Sequence, residues 1–173
     1  MLLELPILPP PLPPWEGLHP LVIHMPIALL LVAPLFVVLG FLPRVGAGFR
    51  LTALVLFVLG TVGTYVAIES GEASAQVISF TPEARETLER HAELAETTRL
   101  LFTILTVMYG LILLLPLLVR RLWKKSLPRA VFHVLMVLII LIAGVCANVL
   151  ANTAHLGGRL VYVHRVENWV LGS

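Results

Sequence analysis

Four apolar segments, each long enough to cross a bilayer, constrain this chain more than any other feature. They cover residues 21–42, 51–68, 100–119 and 130–151. A hydrocarbon core about 30 Å thick is crossed by about 20 apolar residues in helical form. A helix is the form that satisfies every backbone group where no water can do so. The spans take up roughly half of the 173 residues and leave no room for a separate soluble domain. The expected fold is therefore all-α, an integral membrane four-helix bundle. Composition agrees: the chain is 58% hydrophobic and 13% charged, against roughly 45–50% and 25% in soluble domains. A soluble enzyme with a single core is excluded. The lone cysteine, Cys146, excludes a disulfide-stapled domain, and with it covalent haem c and a cysteine-ligated iron–sulfur cluster, which need several thiolates. There is no glycine-rich phosphate loop, and the net charge of +2 gives no basis for nucleic-acid binding.

The placement of charge orients the bundle. Arg44 and Arg50 follow the first span; Arg120, Arg121, Lys124, Lys125 and Arg129 follow the third, in a short loop with Trp123. Basic residues in short loops mark the cytoplasmic side. All ten acidic residues are glutamates, and all fall on the other side. Both termini are thus expected on the outer side of an inner (plasma) membrane. The outer parts are a Pro-rich arm over residues 1–18 and a tail over residues 157–173, flanking a bundle over residues 19–156. The first twelve residues have no positive start and are interrupted by prolines, so they are not read as a signal peptide. The run Pro9 to Trp15 reads as a polyproline II spacer or a docking arm. Thr81-Pro82-Glu83 has a cap, a first-position proline and a first-turn acid. It predicts a third helix that starts at Pro82 and extends beyond the membrane.

Six histidines occur, and five of them, His19, His24, His91, His155 and His164, fall at the outer end; only His133 lies near the cytoplasmic side. Counting at ~1.5 Å per residue puts His24 at the hydrocarbon boundary, His19 and His155 about 7 Å above it, and His91 about 13 Å above it. The double glycine Gly157-Gly158 is read as a turn before His164. Bundles hold cofactors and metals with side chains on facing helices, and neutral imidazole binds haem iron, zinc and copper. The histidines come from separate helices with wide gaps and lack a tight zinc spacing. That pattern suits the two axial ligands of a noncovalent haem best and a copper or zinc site less well. Small residues make two stripes, Gly144, Ala147 and Ala151 beneath His155 and Gly60, Gly63, Thr64 and Ala67 on the second helix. They serve close helix packing or make room for a macrocycle. His133 and Cys146 read as packing residues, and Glu69 as an interface residue.

The segment His19-Pro20-Leu21-Val22-Ile23-His24-Met25-Pro26-Ile27-Ala28-Leu29 resembles the HPxxVHFPIAL opening of domain-of-unknown-function family twenty-two thirty-one, a set of prokaryotic four-helix membrane proteins. Ser70 to Ala73, His91 to Ala95, and Ala154 to His164 resemble that family's further signatures, the last being AHLGGxLVYxHG. Met25 replaces its usual Phe, and Arg165 its usual Gly. The resemblance implies four spans, outward histidines and a haem or redox role, and it includes His19, His24, His91, His155 and His164 as a set.

The expected function is a membrane-embedded b-type haem protein, an electron-transfer subunit with histidine-ligated haem b at the outer end. His24, His91, His155, His164 and His19 are the candidate cofactor ligands, the first four also for a bare metal. One haem is the simpler count. Two would use His24 with His155 below, and His91 with His164 or His19 above. The chain is not expected to be an enzyme alone but a subunit of an oxidoreductase complex. Its expected partners are the lipid bilayer, other membrane or periplasmic redox subunits, and a quinone. The competing readings are a structural or assembly subunit of a larger membrane complex, and a copper- or zinc-binding membrane module.

Overall fold

A computed structural model describes residues 12–164. Most of the arm, through residue 11, and the tail from residue 165 fall outside the described residues. A 3-10 turn, Trp15–Gly17, leads into α1 (His19–Leu39), followed by α2 (Gly46–Val77), α3 (Pro82–Trp123) and α4 (Arg129–Tyr162). All four helices are long and apolar enough to cross a membrane, and among the described residues there are no strands.

Local sequence explains the boundaries. α1 is interrupted at Ile23, because Pro26 has no N–H to donate to the preceding turn. Pro34 and Pro116 lie inside α1 and α3 without ending them. α3 starts where the sequence predicts: Thr81 is extended, its hydroxyl accepts from the Ala84 N–H at 3.3 Å, and Pro82 fills the first position. The helix then continues for 42 residues, about 63 Å at ~1.5 Å per residue, twice a bilayer core. Its C-cap, Lys124, is left-handed with φ 54°.

Two features depart from the sequence reading. α2 does not stop at the end of its apolar span but runs on to Val77, so only Ile78–Thr81 separate it from α3. The chain also does not turn at Gly157-Gly158; α4 passes through both to Tyr162. Glycine in a helix costs only about 1 kcal/mol relative to alanine, less than the packing of that helix face returns.

The helices form two tight hairpins, α1/α2 and α3/α4, joined mainly along α2 and α3 and least along α1 and α4. Gly60 and Gly63 are what let α1 lie close on α2. A Cβ on Gly60 would sit 2.6 Å from Leu30 Cγ, and one on Gly63 would sit 3.0 Å from Pro26 Cβ. That stretch of the small-residue stripe is helix packing. Leu30, Ala33, Val37, Phe57, Phe102, Leu105, Tyr109, Met136, Ile139 and Cys146 fill the core. Hydroxyls stitch the helices together, between the hairpins and within one of them. Thr61 and Thr106 bond at 2.8 Å between α2 and α3, and Thr98 and Thr153 at 2.9 Å between α3 and α4. At the basic end the Arg50 guanidinium donates to the Gly40 carbonyl that closes α1 and lies 5.5 Å from the Phe132 ring centroid.

Candidate functional site

The end of the bundle opposite the basic loops carries two imidazoles held in the same way. His19 opens α1, and its Nδ1 lies 2.8 Å from the Ala67 carbonyl of α2. His91 lies in α3, well before the apolar span begins, and its Nδ1 lies 2.9 Å from the Thr153 carbonyl of α4. A carbonyl only accepts, so each Nδ1 carries the proton and donates it. In the neutral ring the Nε2 then presents its lone pair, and neither Nε2 has a hydrogen-bond partner among the described residues.

Each ring rests on a glycine one turn beyond the carbonyl it binds. A Cβ on Gly71 would be 2.9 Å from His19 Cε1, and one on Gly157 would be 3.2 Å from His91 Cε1. The construction therefore occurs twice, as Ala67 with Gly71 under His19 and as Thr153 with Gly157 under His91. The hairpins α1/α2 and α3/α4 repeat one another at this level. This explains why α4 stays helical through Gly157: the missing side chain is the seat of the His91 ring.

The two imidazoles are half-buried and near enough for their charges to interact. Burial pushes the His91 imidazole below its ordinary pKa, against the opposing effect of its bond to the Thr153 carbonyl. Burial disfavours the cation, so the environment selects the neutral ring, which is the form that ligates a metal. Hydroxyls brace the layer. Thr153 Oγ1 donates to the Val149 carbonyl at 3.0 Å and so accepts from Thr98. Ser70 Oγ donates to the same Ala67 carbonyl that receives His19.

The other sequence candidates lie elsewhere. His24 and His155 are exposed, on α1 and α4. His164 belongs to a separate polar pocket of about 210 Å³ that includes Glu83, Glu86, Arg90 and Arg159. Thr87 Oγ1 gives its proton to the Glu83 carbonyl and accepts from His164 Nε2 at 3.0 Å. The Nε2 of His164 is thereby occupied. Among the described residues no three His, Cys, Asp or Glu side chains gather closely enough to hold a metal ion. His133 sits at the basic end, 5.4 Å from the Phe41 ring centroid, and Glu69 is exposed. Gly144 and Ala151 are exposed on α4, and a Cβ on Gly144 would meet nothing within 4 Å. The sequence marks Ala67 only as a small residue and Gly71 only within a family signature, gives no sign of Thr153, and reads Gly157 as a turn. The available signal was the shared spacing of four between a helical residue and a following glycine.

Fold and site together define a membrane four-helix bundle with two imidazoles, each bonded to a main-chain carbonyl, at the end opposite the basic loops. Residues 16–169 match the family described as "Predicted membrane protein (DUF2231)", and the chain belongs to that family. No curated protein and no solved structure matches it.

Proposed function

We propose that the protein is a b-type haem protein of the plasma membrane, an electron-transfer subunit whose haem is held between His19 and His91. The observation that carries this reading is the pair of Nδ1-to-carbonyl hydrogen bonds, to Ala67 and Thr153. A metal-ligating histidine almost always gives its other N–H to a carbonyl or carboxylate, which fixes the tautomer and the ring plane. Here that bond is already made twice, on rings from the two different hairpins. The donor set would fit a haem, which two imidazoles can hold with no further protein donor. The bound group would supply one-electron transfer. His19 and His91 would hold it, Gly71 and Gly157 would keep the rings in place, and the Ala67 and Thr153 carbonyls would set the ring planes.

Orientation belongs to the same proposal. The seven basic residues in and beside the α1/α2 and α3/α4 connections favour a cytoplasmic basic end, and the histidine layer would then lie at the outer face. There an external redox subunit would reach it.

The visible spectrum of the purified full chain, with metal analysis, tests the reading. The expected result is the Soret and split α/β bands of a haem held by two imidazoles, and about one iron per chain. A colourless protein containing copper or zinc overturns it in favour of a metal-binding module. A colourless, metal-free protein overturns it in favour of an assembly subunit.

A further inference from the structure

We propose that the cleft between α2 and α3 just below the histidine layer binds the ring of a neutral quinone, its tail running into the bilayer along the exposed faces of both helices. The cleft has a volume of about 330 Å³ and is lined by Tyr65, Glu96, Thr97, Arg99, Leu100 and Thr103. That lies at the lower end of the range for small-molecule sites.

Its chemistry is specific. The Arg99 guanidinium lies 4.9 Å from the Tyr65 ring centroid and pairs with Glu96. Thr103 donates its hydroxyl to the Arg99 carbonyl at 2.7 Å, so it accepts from the Tyr65 hydroxyl at 3.2 Å. Thr97 likewise donates to the Glu93 carbonyl at 2.9 Å. The hydroxyl protons are thus committed within the chain, and the Arg99 N–H groups beyond the one given to Glu96 are the donors suited to a ligand carbonyl. The guanidinium charge is already balanced by Glu96, so the cleft as a whole is neutral and gives an anionic headgroup no advantage. The stacked Tyr65 and Arg99 offer a flat face. Leu100 is 59% and Tyr65 43% exposed, which leaves the cleft open where the apolar span of α3 begins. A planar head with carbonyls and a long apolar tail meets all of these conditions.

That the amphiphile is a quinone rests on the electron-transfer role proposed for the histidine pair. Arg99 lies about 12 Å along α3 from His91, and Tyr65 lies about 3 Å along α2 from Ala67.

The test uses the full chain in phosphatidylcholine nanodiscs, titrated with decylubiquinone and with menadione against empty nanodiscs. Saturable binding above the empty-disc level is expected. Arg99→Leu and Tyr65→Ala should each weaken it roughly tenfold, the loss of one charged hydrogen bond or one stacking face. Leu117→Ala, on the exposed face of α3 near the basic end, should leave it unchanged. If either variant fails to elute as a folded species, Arg99→Lys and Tyr65→Leu replace it, with a loss in the same direction. Binding no greater than to empty discs, or equal affinity in the variants, overturns the proposal. Displacement of bound quinone by phosphatidylglycerol also overturns it, assigning the cleft to a lipid headgroup. The absorption spectrum of the same samples separates the two readings. Haem without quinone binding defeats only this proposal, and quinone binding without haem defeats only the haem assignment.

Discussion

One proton position decides what each histidine can do. His19 and His91 spend their N–H on main-chain carbonyls and leave Nε2 without a partner among the described residues, whereas His164 spends Nε2 on Thr87. His19→Ala or His91→Ala should therefore abolish the haem spectrum or convert it to a five-coordinate form. His24→Ala and His155→Ala, at exposed positions, should leave it as in the wild type. Loss of colour in His155→Ala with retention in His91→Ala would move the site to the surface of α4. The glycines give a subtler test. A methyl at Gly71 would lie 2.9 Å from His19 Cε1, too close for either group to stay. Gly71→Ala should weaken haem retention by about tenfold or more, as displacement of a ligand's supporting contacts commonly does. Gly48→Ala, where an added Cβ meets nothing within 4 Å, should change nothing. Haem-to-protein ratio after repeated gel filtration reads both.

Within the helices, small residues serve opposite purposes on different stretches. Gly60 lies under Leu30, so Gly60→Leu should destabilise the α1/α2 hairpin by ~1–3 kcal/mol, the usual cost of overfilling a packed interface. Thermal unfolding in detergent would show it, with haem content per folded chain unchanged. Ala151 is exposed. Ala151→Leu should shift stability by no more than about 0.5 kcal/mol and leave haem content alone. A fall in haem content there would mean that a macrocycle rests on the outer face of α4. Between α3 and α4, Thr153→Val removes the hydroxyl bonded to Thr98 but keeps the carbonyl bonded to His91. The expected cost is about 0.6 kcal/mol, typical of an interhelical hydroxyl bond in a membrane, with an unaltered spectrum. A spectral change would mean that the hydroxyl network, not the carbonyl, orients the ring.

At the scale of the whole molecule, both described termini and the histidine layer share one end of the bundle, and the basic loops share the other. A periplasm-dependent reporter fused after Ser173 should be active, and one inserted at Lys124-Lys125 silent; the reverse pattern would place the histidines in the cytoplasm. Four spans, their limits near the basic loops and the start of α3 at Pro82 are all legible in the sequence. Each follows from local rules: apolar length against bilayer thickness, and a Thr cap followed by proline. The set of histidines at one end is legible for the same reason, since parity of crossing alone assigns each to a side. Which two of them bond to main-chain carbonyls of a neighbouring helix is not. That depends on how α1 rotates against α2 and α3 against α4, and rotation is set by contacts far apart in the chain, such as Gly60 on Leu30 and Thr98 on Thr153. The same distance hid the role of Gly157. Read locally, a double glycine is a turn; in the folded bundle its vacant side-chain position receives an imidazole from another helix, and the helix runs on because that packing outweighs glycine's weak preference against it.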